Sequence, residues 1–151
     1  MHTMSATLAS VTLFIAGMAY AGGSPPVDAG FSFDIPAGAG CDFPINVKAS
    51  GKTSLITLPG GRFILTSPNQ RAVITNGNDP SKAVTIVVTG SVHYSTDANG
   101  DLVAHATGRN LVVDQVANIF VLVIGSFELP VSGLTDRTGN GQLIDVCTLI
   151  A

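Results

Sequence analysis

The chain has no tryptophan, one glutamate and two cysteines, and only 11% of its residues are charged. Each scarcity excludes something. Without tryptophan, and with its cysteines near the ends of the chain instead of on two inner strands, the sequence does not fit the immunoglobulin sandwich, whose core packs a tryptophan on a disulfide. Glu128 is the lone glutamate, and Asp42, Asp114, Asp136 and Asp145 lie far apart, so spacing alone yields no carboxylate pair for acid–base chemistry. The seven Lys and Arg residues are scattered and the formal net charge is −3. A phosphate-tracking surface needs clustered cations, so neither nucleic acid nor an anionic membrane surface is an expected partner. Long apolar runs are missing too: despite 46% hydrophobic residues, no stretch reaches the roughly 18 that a membrane-spanning helix requires. The spacings of a nucleophile elbow, a Ser-x-x-Lys pair, a His-Glu-x-x-His zinc site, a phosphate loop and a calcium loop are all absent. No catalytic residue, cofactor or metal is assigned.

What is present begins with the longest apolar stretch, residues 8–21, where Val11, Leu13, Phe14 and Ile15 run into Ala19-Tyr20-Ala21. An apolar core too short to stay in a bilayer, followed by small residues at the two positions a signal peptidase grips, reads as a secretory signal peptide over residues 1–21, helical in the membrane and cleaved after Ala21. Residues 1–6 carry no Lys or Arg, a departure from the usual pattern. No cysteine follows the apolar core, which argues against a lipid anchor. The expected product is secreted, and removing residues 1–21 leaves the net charge at −3.

In an oxidising compartment two cysteines in one chain are most simply partners. Cys41 and Cys147 are 106 residues apart, and their bridge would clasp the two ends of the mature domain. No Cys-x-x-Cys or histidine context gives either one a metal or nucleophilic role.

Residues 22–40 are rich in Gly, Pro and Ala and read as an arm ahead of an all-β domain over 41–151. Beyond it, segments rich in Val, Ile, Thr and Phe alternate with Gly, Pro, Asn and Asp clusters. The segments are 42–49, 53–58, 62–67, 71–76, 83–96, 102–107, 111–129 with breaks, and 143–150, about eight strands in all. Connections this short make neighbours antiparallel. The expected fold class is therefore all-β, a single antiparallel barrel or sandwich. Gly90 and Gly125 sit inside long strand-like stretches, each followed by Ser, and a glycine there marks a bend, which favours a curled sheet. Residues 119–124, from Ile119 to Ile124, contain no polar position, so both faces of that strand must be covered. Burial in the monomer is the default; a wall of an apolar cavity or a homo-oligomer interface are the other readings.

Two histidines fall in strands joined by Asp97-Ala98-Asn99-Gly100. A type I turn with a glycine bulge pairs Asp97 with Asp101. His93 then faces His105, beside Ser95 with Val103 and Ser91 with Thr107. The other face sets Val92 and Tyr94 against Ala106 and Ala104, large against small, which supports the register. Facing imidazoles are a candidate divalent-metal or proton-switch site, but no local carboxylate supplies a third ligand. Arg109, in Thr107-Gly108-Arg109-Asn110, reads as a loop cation presented to an anion, or as a partner of Asp114. His93, His105 and Arg109 are the candidate ligand-binding residues.

The Leu58-Pro59-Gly60-Gly61-Arg62 turn, the Thr107-Gly108-Arg109-Asn110-Leu111 run and the terminal Asp145-Val146-Cys147 together resemble small secreted β-rich proteins of actinobacteria that have no assigned function. The resemblance implies export and a β fold and brings no activity. The leading expectation is a non-enzymatic extracellular module binding an apolar small molecule, a surface polymer or a protein. A small secreted enzyme with a site near His93, His105 and Arg109, and a self-assembling envelope component, are the alternatives.

Overall fold

The computed structural model describes residues 25–130 and 132–151; the signal segment and the cleavage point after Ala21 lie outside the described residues. The described chain is all-β. Eleven strands form two sheets: β1 (Val27–Asp28), β2 (Phe31–Ile35), β3 (Ile45–Ser50), β4 (Lys52–Thr57), β5 (Phe63–Thr66), β6 (Arg71–Asn76), β7 (Ala83–Val87), β8 (Ser91–Thr96), β9 (Leu102–Asp114), β10 (Ile119–Pro130) and β11 (Thr138–Asp145). A 3-10 turn (Leu134–Asp136) and one helical turn, α1 (Val146–Leu149), complete it. The larger sheet has the order β1-β4-β5-β8-β9-β10-β11, the smaller β2-β3-β6-β7, and every pairing is antiparallel. No helix among the described residues is long and apolar enough to cross a membrane.

Local chemistry sets the β8–β9 hairpin. The Asp97 carboxylate accepts from the backbone N–H of Asn99 at 2.8 Å and of Asp101 at 2.9 Å, and Gly100 takes the left-handed conformation, φ 87°, that a glycine bulge needs. The register that follows pairs His93 with His105, Ser95 with Val103 and Tyr94 with Ala104, as the turn chemistry requires.

Four segments differ from the sequence expectation. The stretch 83–96 is not one strand but two, β7 in the smaller sheet and β8 in the larger, interrupted at residues 88–90. Residues 31–35 of the arm are a strand, β2, because Phe31, Phe33 and Ile35 fall on one face and dock against β3, so the β domain starts well before residue 41. The stretch 102–114 is one unbroken strand, which places Arg109 mid-strand instead of on a loop. Residues 143–150 begin as β11 but end as α1. There the Asp145 side chain accepts from the Cys147 N–H and caps the turn, and Val146 and Ile150, at helical spacing, are both buried at 1% exposure or less.

Each side of the larger sheet has its own core. Between the sheets, Ile45, Val47, Ala72, Ile74 and Ile86 of the smaller sheet meet Val113, Phe120 and Leu122 of the larger, with Cys41, Val146 and Ile150 at one end. On the opposite face Val92, Tyr94, Ala106, Val112, Val121, Val123, Phe127 and Leu129 cluster with Leu134 of the 3-10 turn. Every member of that cluster but Leu134 belongs to β8, β9 or β10. Val123 is nonetheless only 1% exposed, so the sheet must curl over its own face. Residues 119–124 thus face a core on each side, inside the monomer.

A row of glycines lies along the curl. Register aligns Gly108, Gly125 and Gly141 on three successive strands, with φ of 80°, 141° and 149°, a region that L side chains avoid. A Cβ on Gly125 would overlap the Asn140 carbonyl oxygen, and one on Gly141 that of Ile124. Gly90, where β7 gives way to β8, is pressed against the Asn110 side chain. The 3-10 turn is tied down by Asp114, 3% exposed, whose carboxylate accepts from the N–H groups of Val116, Ala117 and Leu134 at 2.9–3.1 Å.

In the curled core Tyr94 stacks on Phe63, ring centroids 4.4 Å apart, and its hydroxyl is buried without a hydrogen-bond partner among the described residues. Burial pushes the phenol from its ordinary 10.0 up to about 12. The folded state therefore holds this proton more tightly than the unfolded chain. The stability it contributes is complete below pH 10 and is lost as pH rises towards about 12, a loss of roughly 1 to 2 kcal/mol after solvent screening. Tyr94→Phe is expected to abolish that alkaline step and to raise stability at pH 7 by about 1 kcal/mol. Urea unfolding of both proteins at pH 7, 9 and 11 measures it; an unchanged alkaline slope in the variant would refute the assignment.

Candidate functional site

His93 and His105 are exposed cross-strand neighbours on the larger sheet. His105 Nε2 lies 2.9 Å from Ser126 Oγ on β10, so its ring engages the strand on the side away from His93. Among the described residues no group of three or more His, Cys, Asp or Glu side chains is placed to hold a metal ion. Imidazole beside hydroxyl is the pair that nucleophilic catalysis uses, yet here it stands on open sheet: none of the three cavities below includes His93, His105 or Ser126.

Arg109 lies four residues along β9 from His105, roughly 13 Å at strand rise, and is not brought to the histidines. Its Nε donates to the Val87 carbonyl at 2.9 Å, linking the large sheet to the end of β7. The partnership with Asp114 is not formed, because that carboxylate is spent on backbone N–H groups.

The structure gathers a different set of residues at the disulfide. Cys41 and Cys147 are bonded, their Cα atoms 5.6 Å apart; Cys41 is 2% exposed and Cys147 is half-buried. Beside them opens a cleft of about 420 Å³ lined by residues 40–43, 118–121, 145, 147, 148 and 151. This lies within the 300–1,000 Å³ of small-molecule sites. Its apolar lining is Phe43, Ile119, Phe120 and Val121, and its polar lining includes Asp42, Asn118, Asp145 and Thr148. Among the described residues no Lys, Arg or His lines the cleft, so the carboxylates give it a negative potential.

Asn118 builds one wall. Held in the left-handed region at φ 52°, it accepts the Gly40 N–H on Oδ1 at 2.8 Å and donates from Nδ2 to Asp42 Oδ1 at 2.9 Å. Asp145 and α1 build the other wall: Asp145 Oδ1 receives the Cys147 N–H at 2.8 Å, and the Gly40 carbonyl oxygen sits 3.1 Å from Cys147 Sγ. The start of the 119–124 run therefore does line a cavity, although an open one.

Two smaller features compare poorly. A groove of about 70 Å³ between the sheets, with the stacked Phe31 and Phe33 among its lining, has room for little more than two waters. A cleft of about 370 Å³ beside β11 is lined by Phe127, Thr135, Leu143 and residues 137–141, and offers little apolar surface.

Among the described residues, the fold and the cleft define a two-sheet, disulfide-closed all-β protein with an amphipathic cleft of ligand size. No family model, no curated protein and no solved structure matches the chain.

Proposed function

We propose that the chain is a secreted, non-enzymatic binding module whose cleft beside the disulfide takes a small amphipathic molecule carrying an amine. The observation that supports it best is the pairing, in one cavity of adequate volume, of a floor of Phe43, Ile119, Phe120 and Val121 with a rim holding Asp42 and Asp145 and no cation. An apolar body gains by leaving water over that floor, while the ammonium answers the carboxylates. Export is supported by the signal-like segment ending at Ala21 and by the disulfide, which an oxidising compartment maintains.

Titration of the ¹⁵N-labelled protein with 2-phenylethylamine and with hexylamine tests this reading. Saturable amide shifts should gather at residues 40–43, 118–121 and 145–148, and Ile119→Lys should weaken binding at least about tenfold by putting a like charge on the floor. Shifts that gather instead around Phe31 and Phe33, or that never saturate, contradict it.

Self-assembly is a second reading and rests on one observation. β11 is an edge strand with no charged residue before Asp145, and such edges template pairing with another chain. A homo-oligomer would form there and not through residues 119–124, whose strand is paired on both edges.

A further inference from the structure

We propose that the disulfide is a thiol-exchange site with a fixed direction of attack and a charge preference: a small cationic thiol enters the cleft and attacks Sγ of Cys147, and Cys41 leaves. This stands on the geometry of the cleft and does not require that the cleft bind any other ligand.

The direction follows from access. Both cysteines line the cleft, but Cys41 is 2% exposed and belongs to the core between the sheets, whereas Cys147 is half-buried on α1 at the cleft wall. Exchange rate depends on which sulfur can be reached as well as on the leaving thiol. Leaving-group quality alone opposes this direction, since a thiolate released at Cys41 emerges among apolar side chains that disfavour its charge. Access outweighs it, because Cys41 is 2% exposed and Cys147 half-buried, so a nucleophile in the cleft meets Cys147 first while the fold is intact.

The charge preference follows from the lining. Asp42 adjoins Cys41 in sequence, and Asp145 holds the Cys147 N–H on its carboxylate at 2.8 Å. Among the described residues no cationic side chain lines the cleft. An attacking thiolate is an anion and is repelled there; an ammonium on the same molecule offsets the repulsion.

The step balances as an exchange. The thiolate sulfur bonds to Cys147 Sγ, the Cys41–Cys147 bond breaks, and the released Cys41 thiolate takes a proton from water. One disulfide is consumed and one formed. A second thiol molecule then releases Cys147 as a thiolate and departs as its own symmetric disulfide, leaving both cysteines reduced. Because the Cys41 thiol stays beside the mixed disulfide and can attack it as the thiolate, the mixed disulfide should revert to Cys41–Cys147 when free thiol is removed.

The experiment treats the native oxidised protein with cysteamine, 2-mercaptoethanol or mercaptoacetate. Each rate is divided by that thiol's rate on a small uncharged disulfide, and quenched samples are peptide-mapped. The expected result is an adduct on Cys147 with Cys41 free to alkylate, and normalised rates in the order cation, neutral, anion. The cation-to-anion ratio should be about 5 or more at low ionic strength and shrink towards unity in 1 M salt. Asp145→Asn, which keeps an N-capping side chain, should reduce the ratio. Adducts on Cys41 or on both cysteines, equal normalised rates, or exchange only at the rate of global unfolding would each overturn the proposal.

Discussion

Replacing Cys41 and Cys147 together by serine is expected to lower global stability by about 4 to 5 kcal/mol, close to the whole margin of a weakly stable domain. The bridge spans 106 residues, and loop-closure entropy removed from the unfolded chain rises with that span. The folded state gains little strain in exchange, since a Cα separation of 5.6 Å is ordinary for a disulfide. Urea unfolding of the oxidised protein and the double variant measures the difference at the transition midpoint. The denaturant slope should rise in the variant, because its unfolded ensemble is more expanded. A loss below about 1 kcal/mol would mean that the unfolded chain already holds its ends together.

Gly125→Ala should cost about 3 kcal/mol or more, at or above the upper end of what most single substitutions cost. Two effects combine at this position. Its φ of 141° is one that alanine avoids, and its Cβ would strike backbone, the Asn140 carbonyl oxygen, which no rotamer change can move aside. Gly60→Ala separates the two contributions: Gly60 also has positive φ, 78°, but nothing lies within 4 Å of its Cβ position, so only the intrinsic penalty of about 1 to 2 kcal/mol applies. Chemical denaturation of both variants supplies the comparison. Equal losses would show that conformation alone governs Gly125, and that the crowding between β10 and β11 is of no consequence.

These residues also mark the boundary of what the sequence discloses. The β8–β9 hairpin was legible down to the His93–His105 pair because the Asp97 turn fixes register locally, and the ends of β6 could be read from alternation and turn residues alone. The disulfide was legible because only one pairing of two cysteines exists. The glycine row was only half legible. Gly125 announces a bend, but its alignment with Gly108 and Gly141 depends on pairing between strands that a linear reading cannot register. α1 was hidden because its four residues follow an apolar strand without a break, and one buried turn leaves too short a period to detect. The cleft was the least legible part. It is assembled from segments near residues 41, 119 and 147, and His93, His105 and Arg109, polar residues prominent in the sequence, lie elsewhere. One signal did point to it: the acids Asp42 and Asp145 sit beside the two cysteines in sequence, so any bridge must bring both carboxylates to one end of the fold.

The sulfur bridge also decides how the molecule bears load. A pull on the two ends of the described chain runs along the residues before Cys41, crosses the covalent bond, and leaves through the few residues after Cys147. Residues 42–146, including β3 to β11, carry no tension. Only β1 and β2 can be peeled from the sheets, while the rest behaves as an inextensible bead for as long as that one bond is intact.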